Sequence, residues 1–222
     1  MFPIRDTKSA GNFPIINLLL IVLNIYVFFL ELVSPDIDLF IKTYALIPAN
    51  INFQDLETIR PFVTSMFLHA GFLHILSNMW FLWVFGDNVE GAIGHIKYLI
   101  FYISAGLAAS VIQYLFISDS ALPMLGASGA IAGVLGAYLK FFPNHKIDTL
   151  VPVFGFPIIV AIPASFMLFY WFVTQAFNGV ATILVATASV GGIAYIAHAG
   201  GFLSGFVLAD FLARILWSRR IN

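Results

Sequence analysis

The sequence predicts an all-α polytopic membrane protein built as a bundle of six transmembrane helices. Three observations carry that prediction. The 222-residue chain is 61% hydrophobic and 9% charged, with a mean hydropathy of +0.97, whereas soluble domains carry about 25% charged residues. Its apolar residues gather into six runs near the ~20 residues that cross a bilayer. Two of these runs carry small residues at helical spacing, the pattern that lets transmembrane helices approach closely.

The first run, Ile15–Leu32, follows a short polar stretch and lacks a small-residue cleavage site, so it reads as a first span. The next longest feature is polar: Ser34 to Arg60, expected to form a structured loop or short interfacial helices. The remaining spans are expected at Gly71–Phe85, Tyr98–Ile117, Met124–Phe142, Phe156–Phe177 and Val190–Leu216. Gly86, Glu90 and Gly94 mark the turn between spans two and three, with Glu90 read as a structural acceptor. No repeat, low-complexity segment or composition break is visible, so residues 1–222 are expected to form one membrane domain.

Composition also excludes functions. A net charge of −1 without a basic patch argues against nucleic acid. The absence of cysteine removes disulfides, thiol catalysis and thiolate metal sites. The 24 phenylalanines read as lipid-facing and core filler, not as a cofactor site. With six spans, Arg5, Lys8, Lys97, Lys140, Lys146, Arg214, Arg219 and Arg220 fall on one side and only Lys42 and Arg60 on the other. Positive charge accumulates on the cytoplasmic side of membrane proteins, so both termini are expected there. Short loops and no appended domain suggest a prokaryotic plasma membrane, with an organelle membrane as the alternative.

Polar groups at membrane depth need partners or water and are functional candidates by default. Ser128 lies in Leu125-Gly126-Ala127-Ser128-Gly129-Ala130, about four residues into the fourth span, and His198 about eight into the sixth. At ~1.5 Å rise per residue both sit roughly 5–12 Å below the outer surface. His74 and Asn78, on one face of the second span at i, i+4, lie at the same depth. Gly126, Gly129, Gly133 and Gly136 line one stripe of the fourth span; Gly191, Ala194, His198, Gly201 and Gly205 line one of the sixth. Facing stripes would bring Ser128 within reach of His198.

A serine hydroxyl becomes a competent nucleophile when an adjacent base takes its proton, and imidazole titrates in the right range. Asp87, Glu90, Asp148 and Asp210 fall at the cytoplasmic side and Asp119 in an outer loop, so no carboxylate is expected at that depth. The expectation is therefore a Ser128–His198 dyad, its imidazole held by packing or neutral hydrogen bonds. His74, Asn78 and the Ser128 backbone N–H are candidate donors to an oxyanion.

Three patches carry a resemblance: His69-Ala70-Gly71-Phe72-Leu73-His74-Ile75-Leu76-Ser77-Asn78-Met79, Gly126-Ala127-Ser128-Gly129-Ala130, and Ala197-His198-Ala199-Gly200-Gly201-Phe202-Leu203-Ser204-Gly205. In this order they resemble the rhomboid intramembrane serine proteases across most of the chain. The resemblance implies the six-helix bundle, Ser128 as nucleophile, His198 as base, and His74 with Asn78 as oxyanion donors. It implies transmembrane protein substrates cleaved near their outer ends, in a lipid bilayer, without cofactor or metal. It also implies that span five, with Pro163 inside it, moves to admit substrate, and that the linker Gly179–Ser189 caps the pocket. The chain departs from the family twice. The loop before span two reads Ile59-Arg60 where Trp-Arg is common, and Ala132 stands where some members stack a tyrosine on the histidine.

A glycine-framed serine or a lone histidine in an apolar helix is often only a packing or hydrogen-bonding group. Order, depth and neighbours taken together favour chemistry. The alternative is an inactive relative that binds membrane clients. A transporter is disfavoured, since no inverted repeat or charged pathway residue appears. His69 reads as a tie between the outer loop and the helix end. A zinc site from His69 and His74 is disfavoured because the His-Glu-x-x-His pattern is absent and no acid is expected nearby.

Overall fold

The computed structural model describes residues 2–8, 11, 13–184 and 194–218, and for 182–184 and 213–218 the backbone alone. In chain order the elements are strand β1 (Phe2–Asp6), helices α1 (Ile15–Val33), α2 (Ile37–Tyr44), α3 (Leu56–Ile59), α4 (Pro61–Thr64), α5 (Phe72–Ile93), α6 (His95–Phe116) and α7 (Ser128–Phe141), strands β2 (Lys146–Val153) and β3 (Phe156–Pro163), and helices α8 (Ala164–Leu184) and α9 (Tyr195–Ser218). Among the described residues α1, α6 and α9 are long and apolar enough to span a membrane. The 56–67 segment and α5 pass that test as a pair bent by 75°.

The bundle is built around α7. Its residues Ala130 to Tyr138 are all buried, so the helix meets protein on every side. It packs most closely on α9, then on α6 and α5; α1 leans on α5, and α8 leans mainly on α9. The small-residue stripe explains that centre. A Cβ at Gly205 would overlap the Gly133 backbone, one at Gly201 the Gly129 carbonyl, and one at Gly136 the Phe202 carbonyl. Gly133 and Gly129 also receive the Ala105 and Ala109 methyls of α6. By contrast α1 leaves Leu19, Val22, Ile25, Tyr26 and Phe29 exposed, as a lipid-facing helix would.

Three boundaries differ from the sequence expectation. Helix α5 continues past Phe85 to Ile93, through Asp87, Asn88 and Glu90. Those polar residues stay helical because they are partnered: the buried Glu90 carboxylate accepts the backbone N–H groups of Ile16 (2.9 Å) and Asn17 (2.7 Å) and pairs with His95. It thereby satisfies donors at the start of α1 that no helix can satisfy internally. Helix α7 starts at Ser128, not Met124, because Met124 forms a backbone bridge with Leu46. Gly126 therefore precedes the helix and stands outside the α7–α9 stripe.

The third difference is a sheet of order β1-β2-β3, added to the helical bundle at its charged side. Phe156–Pro163 pairs antiparallel with Lys146–Val153, so α8, the helix of the expected fifth span, begins at Ala164 and Pro163 lies before it, not inside it. The two-residue turn Phe154-Gly155 has positive φ at both positions (51° and 86°), the twist a tight hairpin needs. The N-terminal strand crosses beneath the bundle. Asp6 accepts from Asn88 (2.7 Å) and from Tyr138, and Trp80 donates to the Pro3 carbonyl (2.6 Å). Gly191 and the 185–189 part of the expected cap lie outside the described residues; Gly179–Leu184 closes α8.

Candidate active site

Ser128 is the first residue of α7 and His198 lies in the first turn of α9. Close packing of these two helices sets them face to face, with Ser128 Oγ 2.7 Å from His198 Nε2. The other imidazole nitrogen, Nδ1, is 2.8 Å from Gln175 Oε1 on α8. An amide oxygen only accepts, so this contact suits the tautomer with the proton on Nδ1, which would leave the Nε2 lone pair facing the Ser128 hydroxyl. Trp171, one turn before Gln175, lies against the imidazole (6.0 Å between ring centres, 29° between planes), and Tyr195 meets its edge. The place left open by Ala132 is thus served from α8.

The start of α9 is held by a second glutamine. Gln113 of α6 accepts the Ala197 backbone N–H at 2.7 Å, one of the first-turn donors that a helix leaves unpaired.

The loop entering α7 places Gly126 with φ +130°, a backbone conformation suited to glycine. Its N–H donates to the Ser65 carbonyl (2.9 Å). A Cβ built on Gly126 would stand 2.9 Å from His74 Nε2 and 3.5 Å from Ser128 Oγ. Glycine therefore keeps open the small space that both groups border. His74 is oriented by the Ala70 backbone N–H on its Nδ1 (3.3 Å). Asn78, one turn further along α5, is buried, and its Nδ2 has no hydrogen-bond partner among the described residues. An unpaired buried amide donor is costly unless a ligand or intermediate uses it. A cavity of about 30 Å³, bordered by Ser65, Ser110, Gly126, Ser128 and Ala197, adjoins the hydroxyl. It has room for a water or two.

His69 is buried, its ring edge-on to Phe28 and to His74 (5.2 Å). Its backbone N–H donates to the Glu31 carboxylate at 3.0 Å, so it ties the segment before α5 to α1. The expectation that no acid lies near these histidines is corrected by Glu31, which closes the apolar run of α1 and is buried. Among the described residues no group of three histidine, cysteine, aspartate or glutamate side chains is placed to hold a metal ion.

The sequence reading did not single out Gln175, Trp171 or Gln113. The one available signal was a pair of amides in otherwise apolar spans, the kind of group that must find a partner at that depth.

Residues 56–215 match the family described as Rhomboid domain. The chain is 31% identical over 153 residues to RHOMBOID-like protein 6, mitochondrial, of Arabidopsis thaliana, covering 68% of this chain and 42% of that protein. It is 28% identical over 162 residues to Rhomboid protein 1, mitochondrial, of Saccharomyces cerevisiae (71% and 43%). It is also 28% identical over 169 residues to Presenilin-associated rhomboid-like protein A, mitochondrial, of Danio rerio (72% and 39%). The matched region spans about two fifths of these relatives' length. Their mitochondrial names overturn the expectation of a prokaryotic plasma membrane with cytoplasmic termini, while the integral-membrane character stands. With the domain match covering most of the chain and these relatives beside it, the protein belongs to the rhomboid family.

Proposed function

We propose that this protein is an intramembrane serine endopeptidase that cleaves transmembrane protein substrates near one membrane face. The observation that carries the reading is the 2.7 Å contact between Ser128 Oγ and His198 Nε2. His198 takes the hydroxyl proton as Ser128 attacks the scissile carbonyl, forming a tetrahedral oxyanion. His74, Asn78 and the Ser128 backbone N–H donate to that oxyanion. His198 returns the proton to the leaving amine, and an acyl-enzyme remains. Water from the cavity beside Ser128 then attacks the ester, again giving its proton to His198, and collapse releases the acid and restores the hydroxyl. Membership of the rhomboid family and the Asn78 amide, which has no hydrogen-bond partner among the described residues, support the same reading.

The test is labelling by a fluorophosphonate beside cleavage of a model transmembrane substrate in proteoliposomes. The wild-type protein is expected to be labelled on Ser128 and to cleave; Ser128→Ala is expected to do neither while melting as wild type does. His198→Ala should lose nearly as much turnover, because such units fail together. Substantial turnover by Ser128→Ala would overturn the serine-protease reading. A folded wild type that neither labels nor cleaves would leave client binding without proteolysis.

A further inference from the structure

We infer that Gln175 and Trp171 of α8 form the positioning element of His198, taking the place that a carboxylate holds in a catalytic triad. The inference rests on the proposed Ser128–His198 chemistry and goes beyond it by naming what sets the base.

The two residues are four apart in one helix, so their side chains leave the same face one turn from each other. They reach the imidazole on two different sides. Trp171 stacks on a face of the ring, and Gln175 Oε1 stands 2.8 Å from Nδ1. Tyr195 closes the edge. The ring therefore has one in-plane hydrogen bond to fix its rotation and one aromatic face to fix its tilt. The hydrogen bond does more than orient. With Gln175 accepting at Nδ1, the neutral imidazole keeps its lone pair on Nε2, toward Ser128 at 2.7 Å. In the other tautomer Nε2 would carry the proton, and Ser128 would have no base.

An amide suits this depth for a physical reason. An ionised carboxylate would be heavily penalised among apolar helices, whereas a glutamine oxygen accepts the same N–H without a charge. The contact also gives the glutamine oxygen a partner, which a polar atom in this setting requires. Gln175 bonds the imidazole nitrogen that faces away from Ser128, so it acts through His198.

The test combines kinetics in proteoliposomes with the ¹⁵N chemical shifts of the His198 imidazole, which report which nitrogen carries the proton. In the resting wild-type protein the proton is expected on Nδ1; a proton on Nε2 overturns the inference without any variant. Gln175→Met keeps the length of the side chain and removes the strong acceptor. It is expected to lower kcat on the order of 10–100-fold at little changed KM and to give a mixture of tautomers. The loss should be smaller than the ~10⁴-fold seen where a partner enforces the wrong tautomer. Gln175→Glu, whose carboxyl stays protonated at this depth and still accepts at Nδ1 through its carbonyl oxygen, is expected to recover most of the kcat and the single tautomer. Wild-type kcat with one tautomer in Gln175→Met would overturn the inference. So would lost activity with an unchanged tautomer and no recovery by Gln175→Glu, the result of a merely structural role. Ser128→Ala is assayed in parallel: if it cleaves, the serine-protease reading fails, while the tautomer measurement still decides the role of Gln175.

Discussion

Gly205 of α9 rests directly on the backbone of Gly133 in α7, so close that a Cβ on Gly205 would overlap the Gly133 carbonyl and Cα together. Four residues earlier, Gly201 meets the Gly129 carbonyl in the same way. The contact is backbone on backbone, so no neighbouring side chain can turn aside to relieve it. Gly205→Val and Gly201→Val are therefore expected to force the helices apart, with overpacking alone costing about 1–3 kcal/mol or more. A shift of ~1 Å at the reacting atoms can cost roughly 100-fold in rate. Both variants should lose melting temperature in detergent and turnover together. Valine variants that melt and cleave as wild type does would show that these glycines do not set the position of His198 against Ser128.

The donors proposed for the oxyanion make a different prediction. His74→Ala and Asn78→Ala leave the α7–α9 contact untouched and should melt close to wild type. Removing one oxyanion donor costs about 10²–10³ in turnover in comparable sites, and the loss here is expected at or below the lower end because three groups share the charge. Asn78→Ala should even relieve a buried amide that has no partner among the described residues. Single-turnover cleavage rates for both variants test this; wild-type rates in both would remove them from the oxyanion site.

Gln113 predicts a loss of stability that reaches the site through the backbone. Its side chain accepts the Ala197 N–H, the residue before His198. Gln113→Leu leaves that donor buried and unpaired, which costs about 1–3 kcal/mol. Thermal melting should fall accordingly, with a smaller loss of turnover than Gln175→Met. Equal melting for wild type and variant would mean the helix start is held by other groups.

Glu90 is expected to matter for folding alone. It accepts two backbone N–H groups at the start of α1 and lies at the opposite end of α5 from His74. Hydrogen bonds to a charged group contribute about 1.5–3 kcal/mol each, so Glu90→Ala should lower the melting temperature markedly. Turnover per folded molecule should be unchanged below the new transition. A large loss of turnover at full folding would tie this end of the bundle to the chemistry.

A membrane-embedded helical bundle is legible in the chain alone, because apolar composition and run length answer directly to bilayer thickness. The candidate residues are read there too: serine, two histidines and an asparagine expected at one depth, with glycine stripes at i, i+3 and i+4 that need only helical periodicity to be seen. Other features depend on contacts between distant segments. Phe156–Pro163 is as apolar as a span, and short apolar runs look alike as helix or strand; pairing with Lys146–Val153 made it a strand and moved the start of α8 to Ala164. Gly126 reads as one more step of a stripe, yet the Leu46–Met124 bridge holds it in the loop before α7, where it keeps space open between His74 and Ser128. Gln175 lies 23 residues from His198 on another helix, and periodicity along one helix says nothing about which face of a second helix will meet it. Side-chain spacing is a local property of the chain, whereas the partner of a buried polar atom is chosen by packing between helices, and that choice is fixed only when the bundle closes.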